Sequence, residues 1–437
     1  MSVLKKELSI ITPKDNGNIV DLNDDPNAID PNNIRLAIRG DRNKQEWFQW
    51  FNFDLKYQHT SGVAYILNIE NAKDVKYPYW NNFAPYQVYA SYGYDDWFNV
   101  PTTYDEVTGK LTMVFRPEEG TDQVKFAFFP PYTYERHLTL IEKARAIPQC
   151  QVTTLGKTNG EQGRDITLLT FGEPAQHKKE IWIIARQHPG EPQAEWYVEG
   201  LIEALRTEAD LFEKFTFRIV PNMNPDGTYD GNLRTNGEGN DLNRMWESST
   251  IQDSPEVYLV KQAMQRIGVD FFVDVHSDEE IPEPFLDEGH LSSPTIDAHM
   301  EALEKQFMDF YIMISRDMQN VLNYGPKDRT NPINITIAAC HVAEYFNCPS
   351  FTLEMPTKNW SVPQCKQLSR DFLEVLSVFS PQLLGKATNV DSRAGAKPER
   401  PRSPGDFSIF EEQHKGSSPD SKGHIIDEVT LEMPSYY

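Results

Sequence analysis

Four short apolar segments between residues 181 and 353 constrain the fold more than any other feature of the chain. Ile181-Trp-Ile-Ile-Ala185, Phe215 to Val220, Asp270 to Val275 and Phe351-Thr-Leu353 are too short for independent helices. Their near-continuous apolar character is that of strands covered on both faces, as in a parallel sheet. Helical patterns alternate with them, from Gln193 to Leu205 and near 294–320, 335–346 and 363–379. A hairpin-like pair, Gln151 to Leu155 and Asp165 to Phe171, precedes the first run. The alternation predicts an α/β domain over 139–387, with a mixed, mostly parallel sheet flanked by helices.

Residues 1–138 obey a different rule. Trp47-Phe-Gln-Trp-Phe-Asn-Phe53, Val63-Ala-Tyr-Ile-Leu-Asn-Ile69 and Val124-Lys-Phe-Ala-Phe-Phe129 alternate with period two and are broken by Asn, Asp, Gly and Pro. This predicts an antiparallel β-sandwich ahead of the α/β domain. Residues 388–437 are rich in Pro, Ser, Gly and charge, and read as a disordered tail. Its end, from Ile425 to Tyr437, mixes acidic and apolar residues, so a docking or export signal is a second reading. The N-terminus lacks the apolar stretch of a secretory signal, and no segment is apolar for the length of a membrane span. Four cysteines, none in a CxxC pair, fit free thiols in a reducing compartment, and the expected location is cytoplasmic. The formal net charge of −23 disfavours nucleic acid and anionic membranes as partners. Oligomeric state is not legible in the sequence.

The chemistry-bearing residues fall beside those runs. His188-Pro-Gly-Glu191 follows the run ending at Ala185, His276 follows Val275, and Glu354 follows Leu353. Open α/β sheets place ligands at the carboxyl ends of their strands, so all three groups are expected near one crevice. Two histidines and a glutamate can hold a catalytic Zn²⁺ and leave a position free for water. Pro189-Gly190 supplies a turn, and Pro192 suits the first turn of the helix that follows. Each residue alone has a plainer reading: a histidine after a strand is more often hydrogen-bonded than ligating, and Glu191 suits a helix N-terminus. Order and joint placement favour the metal.

These segments resemble the M14 zinc carboxypeptidases, and within them the cytosolic carboxypeptidase branch with its bacterial members. The resemblance rests on Arg186 to Trp196, Pro221 to Gly227, Gly231 to Arg234, Asp241 to Arg244 and Phe351 to Pro356. Phe126 to Tyr134 is similar to the close of that branch's N-terminal sandwich, so the likeness covers roughly 40–385. It implies one Zn²⁺ per chain on His188, Glu191 and His276, with Asp241 orienting His188. It implies Asn243 and Arg244 as the grip on a substrate's terminal carboxylate, and Arg234 as the group that stabilises the oxyanion. Glu354 becomes the base that takes a proton from the attacking water and passes it to the leaving amine. The implied substrate is the C-terminal tail of a peptide or protein.

Ser277 departs from the glycine common in this branch after the second histidine. Tyr324, beside Gly325-Pro326, is the candidate for the family's mobile tyrosine, with Tyr345 the competing position. The branch includes enzymes that trim glutamate, which would call for a nearby cation such as Lys327, Arg329 or Lys358. Two other functions stay open: a zinc amidohydrolase acting on small acylated amino acids, and a non-catalytic binding protein carried by the sandwich.

Overall fold

The computed structural model describes residues 8–385 apart from 27, 59–61, 94, 161, 291, 292, 294, 295 and 326–332. The proposed tail at 388–437, Lys327 and Arg329 therefore lie outside the described residues.

The N-terminal part contains β1 (Ser9–Ile11), β2 (Val20–Asp21), β3 (Ile34–Ala37), β4 (Asn52–Lys56) and β5 (Tyr65–Ile69). It continues with β6 (Val88–Ser91), β7 (Phe98–Val100), β8 (Thr102–Asp105), β9 (Lys110–Phe115) and β10 (Gln123–Ala127). They form two five-stranded sheets, ordered β1-β4-β10-β6-β7 and β2-β3-β5-β9-β8. Every pair is antiparallel except β3 with β5. The alternation that begins at Trp47 becomes strand only from Asn52. Before it the chain turns back, Asp41 N–H donating to the Trp47 carbonyl at 2.8 Å, and this carries Trp47 out of the sheet.

The second part runs α1 (Tyr134–Arg145), β11 (Cys150–Lys157), β12 (Asp165–Phe171), β13 (Lys179–Ala185), α2 (Gln193–Leu205), α3 (Ala209–Phe212), β14 (Phe215–Val220) and α4 (Pro225–Asp230). There follow α5 (Pro255–Ile267), β15 (Phe271–Asp278), β16 (Phe285–Glu288), α6 (Ala298–Ile314), α7 (Ala338–Phe346), β17 (Ser350–Pro356) and α8 (Val362–Leu383). Seven strands make one sheet, β11-β12-β14-β13-β15-β17-β16. Its four central strands are mutually parallel, and antiparallel strands close both edges.

The apolar run of β13 shows why the sheet is covered on both sides. Ile181, Ile183 and Ala185 join a core with α2, α8 and the sandwich, whereas Trp182 and Ile184 join a second core with α5 and α7. A period of two sends successive side chains to opposite faces. Helix α2 is buried along most of its length. Gly200 lets it close on α8, because a Cβ there would stand 2.6 Å from Lys366 Cα. Helix α5 escapes the sequence pattern read above, although Ser254-Pro255 is a reasonable start signal and its buried Val257, Val260, Ala263 and Met264 have helical spacing. No helix among the described residues is long and apolar enough to cross a membrane.

Candidate active site

Strand β13 ends at Ala185, and the chain turns at once through Arg186, whose φ of 61° is unusual for a residue with a side chain. The turn is held from inside: Arg186 is fully buried, donates to the Pro189 carbonyl at 2.7 Å and pairs with Glu195 at 2.9 Å. His188 and Glu191 are thereby presented past the strand end, as expected. His276 and Glu354 differ from the expectation. Both lie within their strands, because the β15–β17 ladder continues through Asp278 and Pro356, and they are register partners across it. Equal positions in a parallel pair place their side chains side by side on one face.

The three candidate ligands converge. His188 Nδ1 lies 2.7 Å from Glu191 Oε1, His276 Nδ1 lies 2.9 Å from Glu191 Oε2, and the two Nδ1 atoms are 3.1 Å apart. The opposite ring nitrogens are both engaged by carboxylates: His188 Nε2 by Asp241 Oδ1 at 3.1 Å and His276 Nε2 by Asp274 Oδ2 at 2.9 Å. A carboxylate at Nε2 keeps the proton there and leaves Nδ1 as a lone pair. Two lone pairs and a carboxylate pointed at one spot repel each other unless a cation or protons sit among them. The donor set therefore fits a divalent metal such as Zn²⁺. A proton on an imidazole can serve the same end. Burial alone would lower the His276 imidazolium, but Asp274 and Glu191 outweigh it and hold its pKa well above the usual histidine range. Burial likewise opposes ionised Glu191, and the two imidazoles outweigh it, holding that carboxyl well below its usual range.

Asp241 has a second task. Its Oδ2 accepts from Arg234 Nε at 2.7 Å. Burial works against the Asp241 carboxylate, yet Arg234 and His188 together keep it well below the ordinary range. Asp274 was not among the residues expected at the site; its spacing of two residues from His276 within β15 puts both on one face, and that spacing is the signal that could have found it.

Glu354 is buried, with Oε1 accepting from the Tyr324 hydroxyl at 2.9 Å and Oε2 finding no partner among the described residues. Burial first, then Glu191 and Asp278, push its carboxyl well above the usual range against the pull of His276. Tyr324 also reaches Asp278 Oδ2 at 3.2 Å. Tyr345 does not enter the site: it is 48% exposed and stacks on His341. Ser277 contributes its backbone, donating N–H to Glu191 Oε2 at 3.1 Å, so the departure from glycine costs no contact there. Asn243 accepts from the Ala338 amide at 2.8 Å through Oδ1, which leaves the donor end of its amide for a ligand. Arg244 Nη1 donates to the Asn243 carbonyl at 2.8 Å, and its guanidinium makes no ion pair among the described residues. Lys358, the described candidate for a glutamate pocket, donates to the carbonyls of Tyr79 and Asn82.

Residues 10–129 match the cytosolic carboxypeptidase N-terminal domain, and residues 139–375 match the zinc carboxypeptidase family. An uncharacterized protein of Zymomonas mobilis is 38% identical over 81% of this chain and 93% of its own length. Cytosolic carboxypeptidase 6 of Caenorhabditis elegans is 29% identical over 57% of this chain, which spans 59% of that relative's length. Among solved structures, a metallo-carboxypeptidase from Pseudomonas aeruginosa in complex with (2-guanidinoethylmercapto)succinic acid has a TM-score of 0.78 at 38% identity. That match covers 86% of this chain and all of the other. A carboxypeptidase A-like structure from Shewanella denitrificans gives 0.78 and 38% over 85% of this chain and 98% of its own.

Proposed function

Because the chain belongs to the zinc carboxypeptidase family, we propose that it removes the last residue of a peptide or protein tail that ends in a free carboxylate. The observation that carries this reading is Arg244, a half-buried guanidinium with no carboxylate partner among the described residues, adjoining the free donor end of Asn243. A planar guanidinium suits a carboxylate, and an anchor of this kind leaves no room for chain beyond the last residue.

In this reading His188, Glu191 and His276 hold one Zn²⁺, which when bound supplies Lewis-acid polarisation and eases deprotonation of water. Glu354 takes the proton from the attacking water on its buried carboxylate and hands it to the leaving amine. Arg234 stabilises negative charge as it develops on the scissile carbonyl oxygen. Tyr324, already on Glu354 through its hydroxyl, orients that carboxylate. Removal of glutamate in particular would need a cation for its side chain. Lys358 spends its ammonium on backbone carbonyls, so the proposal rests on the terminal carboxylate and not on the residue released.

The test uses purified full-length protein, zinc analysis, and peptides that differ only in a C-terminal Glu, Arg or Leu, each free and amidated. N-acyl amino acids form a further arm for the amidohydrolase alternative. Zinc near one per chain and release from free C-termini alone are expected, with Arg244→Ala raising KM on those peptides. Absence of both zinc and turnover, or equal cleavage of amidated peptides, overturns the proposal.

A further inference from the structure

The loop that carries Arg234 is held chiefly by the other domain. Asp41, fully buried, accepts the N–H groups of Leu233 at 2.5 Å, Arg234 at 3.0 Å and Thr235 at 2.8 Å, and the Thr235 hydroxyl at 2.9 Å. No side chain but a carboxylate presents acceptors enough for four donors without offering a donor of its own. The same loop meets the metal-ligand turn, because Gly190 N–H donates to the Leu233 carbonyl at 2.7 Å. A Cβ at Gly190 would stand 2.8 Å from that oxygen, so the two segments are in direct backbone contact.

The guanidinium itself is enclosed on three sides. Asp241 takes Nε, the Tyr77 hydroxyl accepts from Nη1 at 2.9 Å, and the Trp47 ring lies beneath it, 4.9 Å from centroid to Cζ. Tyr77 and Trp47 also pack on each other at 6.4 Å. Two of the three partners are sandwich residues. The turn that takes Trp47 out of the expected strand thus leaves its ring against Arg234.

We infer that Asp41, Trp47 and Tyr77 are positioning residues for Arg234, so that the N-terminal sandwich completes the reaction site of the peptidase domain. The role assigned to Arg234 rests on the proposed peptidase reading; the clamp does not. Asp41 sets the loop's backbone, Trp47 supports the guanidinium plane, and Tyr77 fixes its rotation, so that one face of the guanidinium is turned to substrate before substrate arrives. Preorganised donors of this kind act on the transition state more than on the bound ground state, and therefore on kcat.

Tyr77→Phe keeps the ring packing and deletes only the hydroxyl. With the best free peptide of the panel, kcat is expected to fall about tenfold or more, the usual scale of one hydrogen bond to a charged group. KM, zinc content and Tm should stay near wild type, which a merely structural role would not produce. Trp47→Phe should retain more activity than Trp47→Leu, because a ring face remains. A second readout needs no turnover: phenylglyoxal modification followed by peptide mapping should proceed several times faster at Arg234 in Tyr77→Phe than in wild type, with the rate at Arg244 unchanged. If the wild type cleaves no peptide, the peptidase reading fails and the modification rate still decides the clamp. Wild-type reactivity of Arg234 together with wild-type kcat in Tyr77→Phe would overturn the inference.

Discussion

Glu354→Gln should make the protein slower and, without metal, more stable. The substitution preserves volume and an oxygen for the Tyr324 hydroxyl, now 2.9 Å away; it removes the charge and the ability to accept a proton, and puts an NH2 in place of Oε2. General-base contributions are about 10² to 10⁴-fold, so the barrier should rise by roughly 2.7 to 5.5 kcal/mol. Stability moves the other way. Glu354 is 7% exposed, its Oε2 has no partner among the described residues, and burial with the charges of Glu191 and Asp278 raises its pKa. A carboxyl whose pKa is raised by folding contributes stability below its unfolded value and loses it as pH climbs through the folded value. At pH 8 the metal-free wild type therefore carries a penalty that a neutral amide lacks. Removing the charge from one poorly satisfied buried carboxylate is worth about 1–3 kcal/mol, while the NH2 that replaces Oε2 stays as poorly satisfied as the oxygen was. The assays are kcat on a free peptide, zinc content, and thermal unfolding at pH 8 with and without chelator. Wild-type kcat would refute the assigned base. A lower Tm in the metal-free variant would refute the electrostatic account, while reduced zinc would show that the ligand set itself had been disturbed.

Asp274→Asn removes the charge that holds His276 Nε2 and Gln187; zinc affinity measured against a competing chelator should fall about 10- to 100-fold, and an unchanged affinity would deny Asp274 that role. Away from the site, Glu256 is fully buried and its carboxyl is pushed up to about 8, by burial first and then by repulsion from Glu238 and Asp226. Its contribution is present below the ordinary value of 4.5 and lost as pH rises through about 8. Glu256→Gln should thus gain on wild type by about 1.4 kcal/mol per pH unit at most over that window and by a constant amount above it; parallel unfolding free energies at pH 5, 7 and 9 would contradict this.

Legibility varied with how local the determining physics was. The run at 181–185 reads as a strand because burial on both faces leaves it without a polar residue, and 215–220 does so although it carries Thr216 and Arg218, the latter paired with Glu180; β13 and β14 occupy those positions. Helix α2 matched at both ends, its start marked by Pro192 and its interior by apolar spacing. Trp47 to Phe51 alternated like a strand and is not one, because its pairing partners were taken by a turn at Asp41 that no periodicity announces. Tyr324 outcompeted Tyr345 only through three-dimensional position: thirty residues of chain separate it from the Glu354 oxygen it meets.

From the chain alone came the alternation of buried strands and helices, the His188, Glu191, His276 and Glu354 set, and the expectation that strand ends gather them. These follow from local burial, turn chemistry and the two-residue period, each of which acts over a few neighbouring positions. Only the tertiary structure decided that His276 and Glu354 face each other as register partners, that Asp274 takes the outer nitrogen of His276 as Asp241 was expected to take that of His188, and that Asp41, Trp47 and Tyr77 reach Arg234. Those contacts join residues as far as 193 positions apart. A carboxylate's partner at that separation is set by how two domains close their shared core, and no segment of the sequence carries that closure by itself.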